Sequence, residues 1–111
     1  MNRFRVWDKA LKTYNLNDFY INADGKLFRL SVDGKLLTVH SDRFIVERCT
    51  GLTDKNGKLI FEGDVDSVGM AVRYRDGAFE LYKDEFNVRL DSKNAAVIEI
   101  IGNIHEMEVE E

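Results

Sequence analysis

Four pairs of Asp-Gly or Asn-Gly punctuate this chain, in Ala23-Asp24-Gly25-Lys26, Val32-Asp33-Gly34-Lys35, Lys55-Asn56-Gly57-Lys58 and Arg75-Asp76-Gly77-Ala78. Gly takes positive φ without steric cost, and Asn and Asp tolerate it, so these pairs favour type I′ hairpin turns. Turns this close together leave room for short strands and exclude long helices. The stretches between them are rich in β-branched, aromatic and Leu residues. They predict strands at Leu27–Ser31, Leu36–Val39, Phe44–Glu47, Leu59–Phe61, Met70–Tyr74, Phe79–Tyr82 and Ala96–Ile101. The expected fold is mainly β, a small barrel or sandwich.

Two short segments have helical character. Asp8–Leu16 opens on a plausible N-cap Asp, with Leu11 three residues on. Asp84–Leu90 sets Phe86 and Leu90 four apart behind an acidic first turn. The similar ADGKLFRL and VDGKLLTV, residues 23–30 and 32–39, are consecutive hairpin turns and no true repeat.

At 111 residues the chain suits one domain, burying roughly two thirds of its unfolded surface. Proline is absent and no Ser/Gly-rich tract marks a linker. The lone Cys49 excludes an internal disulfide and a cysteine metal cluster. The N-terminal MNRFRVWDK lacks an apolar signal region, which points to a reducing, cytoplasmic setting. No run approaches the roughly 20 apolar residues of a membrane helix. Charge is uneven: residues 1–60 hold eleven Lys/Arg against seven Asp/Glu, and residues 61–111 hold five against thirteen. Such asymmetry suits head-to-tail self-association or a basic partner, and it also suits a solvated surface with an acidic EMEVEE tail.

The stretch TGLTDKNGKLIFEGDV, Thr50 to Val65, has the look of a phosphate loop and fails each requirement of one. Five residues rather than four separate Gly51 from Gly57-Lys58, and Leu59 replaces the hydroxyl residue that holds Mg²⁺. A strand follows rather than the helix whose N–H groups would face phosphate. The same residues fail as a calcium loop, with Leu59 for the sixth-place Gly and Val65 for the closing Glu. His40, His105 and Cys49 form no zinc pattern. Ser67 lacks the first Gly of a nucleophile elbow. No carboxylate pair stands in an apolar setting that would raise a pKa for acid–base work, and Cys49 is expected to be inert core. The expectation is a chain with no enzymatic activity, no catalytic or metal residues and no cofactor. A basic strip with aromatics comes nearest to a nucleic-acid face: Arg3, Phe4, Arg5, Trp7 and Lys9, with Arg29, Arg43 and Arg48 adding to it. A pI near 5.2 weighs against non-specific DNA binding.

Three segments taken together resemble the YopX family of small phage and prophage proteins: FRVWD at Phe4–Asp8, the Thr50–Val65 stretch, and VIEIIGNIHE at Val97–Glu106. Their order and spacing match nearly the whole chain, with Ile21–Arg43 the variable part. The resemblance implies a mainly β protein with an SH3-like small barrel in the C-terminal half and one or two short helices. It places a β-rich extension at residues 1–49, packed on a barrel at 50–111 with the acidic tail, as one compact unit. The family has no established enzymatic activity. Its motif residues here are Trp7, Asp54, Gly57, Gly63, Asp64, Gly102 and Asn103, mostly turn formers, and they read as structural. Glycines suit positive φ or close backbone approach, while Asp64 and Asn103 suit side-chain bonds to turn backbone. The expected function is a phage accessory protein in the bacterial host cytoplasm that binds protein, itself included as a homo-oligomer, away from membranes. The alternative is a nucleic-acid-associated factor in phage replication or early expression.

Overall fold

The computed structural model describes residues 4–15, 19–40 and 42–107. The described chain is mainly β, and it divides into two compact units, Met1–Arg48 and Cys49–Glu111. The ends of the chain at 1–3 and 108–111, with Arg3 and most of the acidic tail, lie outside the described residues.

In the first unit, β1 (Phe4–Asp8) lies between β2 (Thr13–Tyr14) and the opening half of β6 (Phe44–Thr53). A separate antiparallel sheet orders β3 (Tyr20–Ile21), β4 (Leu27–Leu30) and β5 (Leu36–Thr38). Side chains along a strand alternate between faces, and directly opposed residues share one. Val6, opposite Val46, therefore goes into a core with Phe19 and Leu27, against which Ile21, Val39 and Phe44 pack. Phe19 meets Phe44 edge to face, with centroids 4.7 Å apart. The alternate β1 residues, Arg5 and Trp7, point to the other face.

The expected helix at Asp8–Leu16 does not form among the described residues. Asp8 does accept from the N–H groups of Ala10 and Leu11, at 3.0 and 3.2 Å, as an N-cap would. The chain then turns back: Lys12 takes φ 53°, and Thr13 and Tyr14 pair with Asp8 and Trp7. Poor helix formers gain more from adding to the edge of β1 than from a second helical turn. Asp8 is 1% exposed and accepts from both Nε and Nη2 of Arg43, each at 2.8 Å.

The Arg43 bond outweighs burial and, with the two amides, pulls the Asp8 carboxyl from 3.8 down to about 2. A depressed carboxylate stabilises the fold above its unfolded pKa, and that contribution is lost as pH falls to the folded one. Thermal unfolding of wild type and Asp8→Asn should thus differ most above about pH 4, and the gap should close toward about pH 2. A gap independent of pH would mean that the carboxylate's charge contributes nothing.

The second unit holds the rest of β6, which pairs with β7 (Leu59–Phe61), and a five-stranded antiparallel sheet. Its order is β11 (Phe86–Arg89), β10 (Ala78–Lys83), β9 (Ala71–Arg75), β8 (Asp64–Asp66), β12 (Ile100–Asn103). One turn of helix, α1 (Ser92–Ala95), is capped by Asp91, which accepts from Asn94 N. Ile60, Val72, Leu81, Leu90, Ala95 and Ile100 form the core, with Leu52, Met70, Phe79 and Ile98 against it.

Two further expectations change here. Asp84–Leu90 is no helix: Asp84 and Glu85 close a hairpin, Asp84 at φ 54°, and Phe86–Arg89 pairs with β10. The long β10 offers a ladder that a seven-residue helix cannot match, so tertiary pairing overrides the i, i+4 spacing. Ala96–Ile101 is a strand only from Ile100, because α1 precedes it and Ala96 is its C-cap.

The turns correct the sequence in a systematic way. Only Asp76-Gly77 has two positive φ values, 53° and 82°, as type I′ requires. The other three Asp/Asn-Gly sites are longer loops begun by Asn22, Ser31 and Asp54, and Asp66 begins a fourth. In each, the first residue's N–H donates to the carbonyl four residues on, and the glycine three residues on donates back to its carbonyl. Asn22, Asp54 and Asp66 add a side-chain oxygen that accepts from the second and fourth N–H beyond; Ser31 takes the fourth. The glycines 25, 34, 57 and 69 sit at φ 81°, 86°, 80° and 88°, a left-handed place that closes a type I turn into a bulged hairpin.

Candidate interaction edge

The β9–β10–β11 meander ends in a strand exposed along its whole length. Lys83 and Phe86 close the hairpin, and Leu90 N donates to Phe79 O at 3.0 Å. Antiparallel bonding alternates, so Phe86, Val88 and Leu90 bond to β10, while the N–H and C=O of Asn87 and Arg89 point away from the sheet. A row of outward backbone groups of this kind is a template for another strand. Asn94 Nδ2 covers one of them, donating to Arg89 O at 2.6 Å. Phe86 is 63% and Val88 38% exposed on one face of the strand.

On the other face, Arg73, Glu80 and Arg89 form one row across β9, β10 and β11. Glu80 bonds Arg73 and also takes Arg75 at 3.2 Å, and the Arg73 guanidinium lies 4.2 Å from the Tyr82 ring centre. Two arginines thus bind one carboxylate, with Arg89 opposite it in the ladder, in the half of the chain whose sequence is acidic. This row was not legible beforehand, because assigning Phe86–Arg89 to a helix removed the register that builds it.

The motif residues fall into turns and packing. Asp54 is 4% exposed and accepts from Asn56, Lys58 and Ile100 N, each at 2.9 Å. Burial pushes its pKa up, but those three amides and nearby Lys58 outweigh it, and the net shift is downward. Gly57 is in that loop, and Asp64 Oδ2 accepts from Phe61 N at 2.8 Å across the Glu62-Gly63 turn, where Gly63 takes φ 85°. Asn103 Oδ1 accepts from His105 and Glu106 N. A Cβ on Gly102 would lie 3.1 Å from Met107 Sδ, so a side chain there would require the Met107 side chain to shift. Gly51 is the left-handed residue where the β6–β7 register shifts, a bulge rather than a phosphate cradle. Trp7 packs edge to face on Tyr14, centroids 4.9 Å apart.

Among the described residues the basic strip is not brought onto one face. Arg5 and Arg48 oppose Glu47 and Phe4, adjacent positions that point to opposite faces. Arg5 bonds Glu47 at 2.8 Å and lies 4.2 Å from the Tyr14 ring centre, with Tyr14 OH donating to the same carboxylate at 3.0 Å. Arg29 lies over Phe19 and Arg43 is held by Asp8. Lys9 is exposed in the turn after β1, and Arg3 is outside the described residues. Cys49 is half-buried rather than core, its Sγ accepting from Gly51 N at 3.3 Å. Among the described residues no three His, Cys, Asp or Glu are arranged to hold a metal, and no helix is long and apolar enough to cross a membrane. An open cleft of about 290 Å³ beside α1 is lined by Leu52, Asp54, Lys55, Ser92 and Ala95, with Asp54 turned to its own backbone bonds.

With this geometry in view, comparison with known proteins places the chain. A family model described as YopX protein matches residues 3–108, and the chain belongs to this family. Its fold is similar to the crystal structure of protein EF1440 from Enterococcus faecalis, with a TM-score of 0.65 at 24% identity. That likeness covers 94% of this chain and 93% of the other, and it speaks for the fold. No curated protein matches.

Proposed function

We propose that this YopX-family chain is a non-enzymatic phage or prophage accessory protein of the bacterial cytoplasm, acting by binding protein at an open sheet edge. Its second unit is read as a small SH3-like barrel, with β11 as the strand that accepts the partner. The observation that carries the reading is β11 itself: every residue exposed, the Asn87 and Arg89 backbone directed outward, and apolar Phe86 and Val88 beside them. Strand addition of this kind takes its affinity from main-chain bonds and its specificity from alternate side chains. The turn bonds of Asp54, Asp64 and Asn103 support a structural role for the motif that defines the resemblance.

An affinity capture from phage-infected lysate, run with and without nuclease, tests this. A partner that survives nuclease on wild type and is lost on Asn87→Pro is the expected result. A partner set that disappears with nuclease overturns the reading in favour of a nucleic-acid-associated factor.

A further inference from the structure

Resting on that protein-binding reading, we infer that the partner at β11 is a second copy of this chain, its β11 lying antiparallel to the first about a twofold axis at Asn87. The backbone restricts which residues can meet. Asn87 and Arg89 face outward and Phe86 and Val88 inward, so in a self-paired ladder an outward residue must oppose an outward one. Centred on Asn87, Glu85 opposes Arg89 of the second copy, and Phe86 opposes its Val88. Shifted to centre on Val88, Glu85 would oppose Asp91 of the second copy. Shifted to centre on Phe86, the overlap ends at the hairpin turn, because the position that Arg89 would need to meet is Lys83, on β10. The first sets like charges face to face, which destabilises strand pairing, and the second leaves Arg89 without a partner. The Asn87 register sets opposite charges at both ends and apolar side chains between them.

The charge balance of the surface points the same way. Glu80, the carboxylate in the row with Arg89, is already bonded by Arg73 and Arg75. Neither Arg89 nor Glu85 is in an ion pair among the described residues. Glu85 of the second copy supplies the anion that Arg89 lacks, and the twofold axis makes the exchange reciprocal. The Asn87 N–H and C=O of the two copies bond each other directly. Arg89 N–H reaches the Glu85 carbonyl of the second copy, and Arg89 O keeps a second lone pair beside its bond from Asn94. A strand this short makes a contact below the roughly 1,200 Å² of standard interfaces, so assembly is weak, concentration-dependent and sensitive to salt.

Sedimentation velocity of the full chain over a range of concentrations is the test. Glu85→Arg and Arg89→Glu should each weaken self-association about tenfold or more, since each sets like charges opposite at both ends. An equimolar mixture of the two variants should associate as wild type does, because every Arg then meets a Glu across the seam. Asn87→Pro should be monomeric, as it removes an outward N–H while the bonds to β10 stay intact; circular dichroism checks that each variant is folded. Self-association that ignores both charge reversals, or a mixture that fails to recover it, overturns the Asn87 register. A wild-type chain that is monomeric throughout overturns self-pairing. In that case, nuclease-resistant capture of a different protein leaves the binding reading standing, and its absence removes that too.

Discussion

Asp54→Ala is expected to lower the stability of the second unit by about 3–4 kcal/mol in urea denaturation, because one buried carboxylate holds three backbone N–H groups. Two of those bonds shape the loop between β6 and β7, and the third, from Ile100, ties that loop to β12. Removing the carboxylate leaves buried donors unsatisfied, which costs more than the net worth of the bonds themselves. Asp54→Asn is the informative companion. Its Oδ1 can still serve Asn56 and Lys58, but its NH₂ would face Ile100 N–H, donor against donor. It should fall between wild type and alanine. A loss under about 1 kcal/mol for alanine would show that the loop is not held this way, and a ligand role for Thr50–Val65 would return.

Ile60→Ala should cost about 3 kcal/mol, read as a lower urea midpoint with unchanged slope. Ile60 has no exposure and is central to a core that includes Val72, Leu81, Leu90 and Ile100. Truncation loses the transfer free energy of three carbons and leaves a cavity whose rim is held by hydrogen-bonded strands, so collapse onto it is limited. Ile60→Val, one methyl smaller, should lose about 1 kcal/mol. Equal costs for the two would mean that the core repacks freely around this position.

The contrast between the turns and the two rejected helices shows what local sequence carried. Leu59–Phe61 forms the expected strand with the expected bounds, because a turn signal flanks it on each side. Asp24, Asp33 and Asn56 marked real turns, yet the residue that shapes each loop stands two places earlier, at Asn22, Ser31 and Asp54. Had the pattern been taken as a polar residue with Gly three places on, the Asp66 loop, which lacks an Asp-Gly pair, would have been legible too. The Asp91 cap with Asn94 was equally local, and it marks α1.

Asp84–Leu90 was not legible in this way. Its i, i+4 apolar pair suits a helix, and only the presence of β10 beside it decides for a strand. The row of Arg73, Glu80 and Arg89 depends on that pairing, so no inspection of sequence neighbours could assemble it. The reverse holds for the basic residues of the first half. Their proximity in sequence suggested one surface, while strand alternation sends Arg5 and Arg48 to opposite sides.

Trp7 gives the molecule an unequal optical label. It is the one tryptophan of the chain, 5% exposed, seated against Tyr14 in the first unit. Its emission therefore reports on the opening 48 residues, while circular dichroism reads the strands of both units. In Ile60→Ala and Asp54→Ala, whose damage is confined to the second unit, the two signals become a measure of cooperativity. Coincident curves mean that the chain melts as one block, and an emission change that lags means that the second unit can open alone.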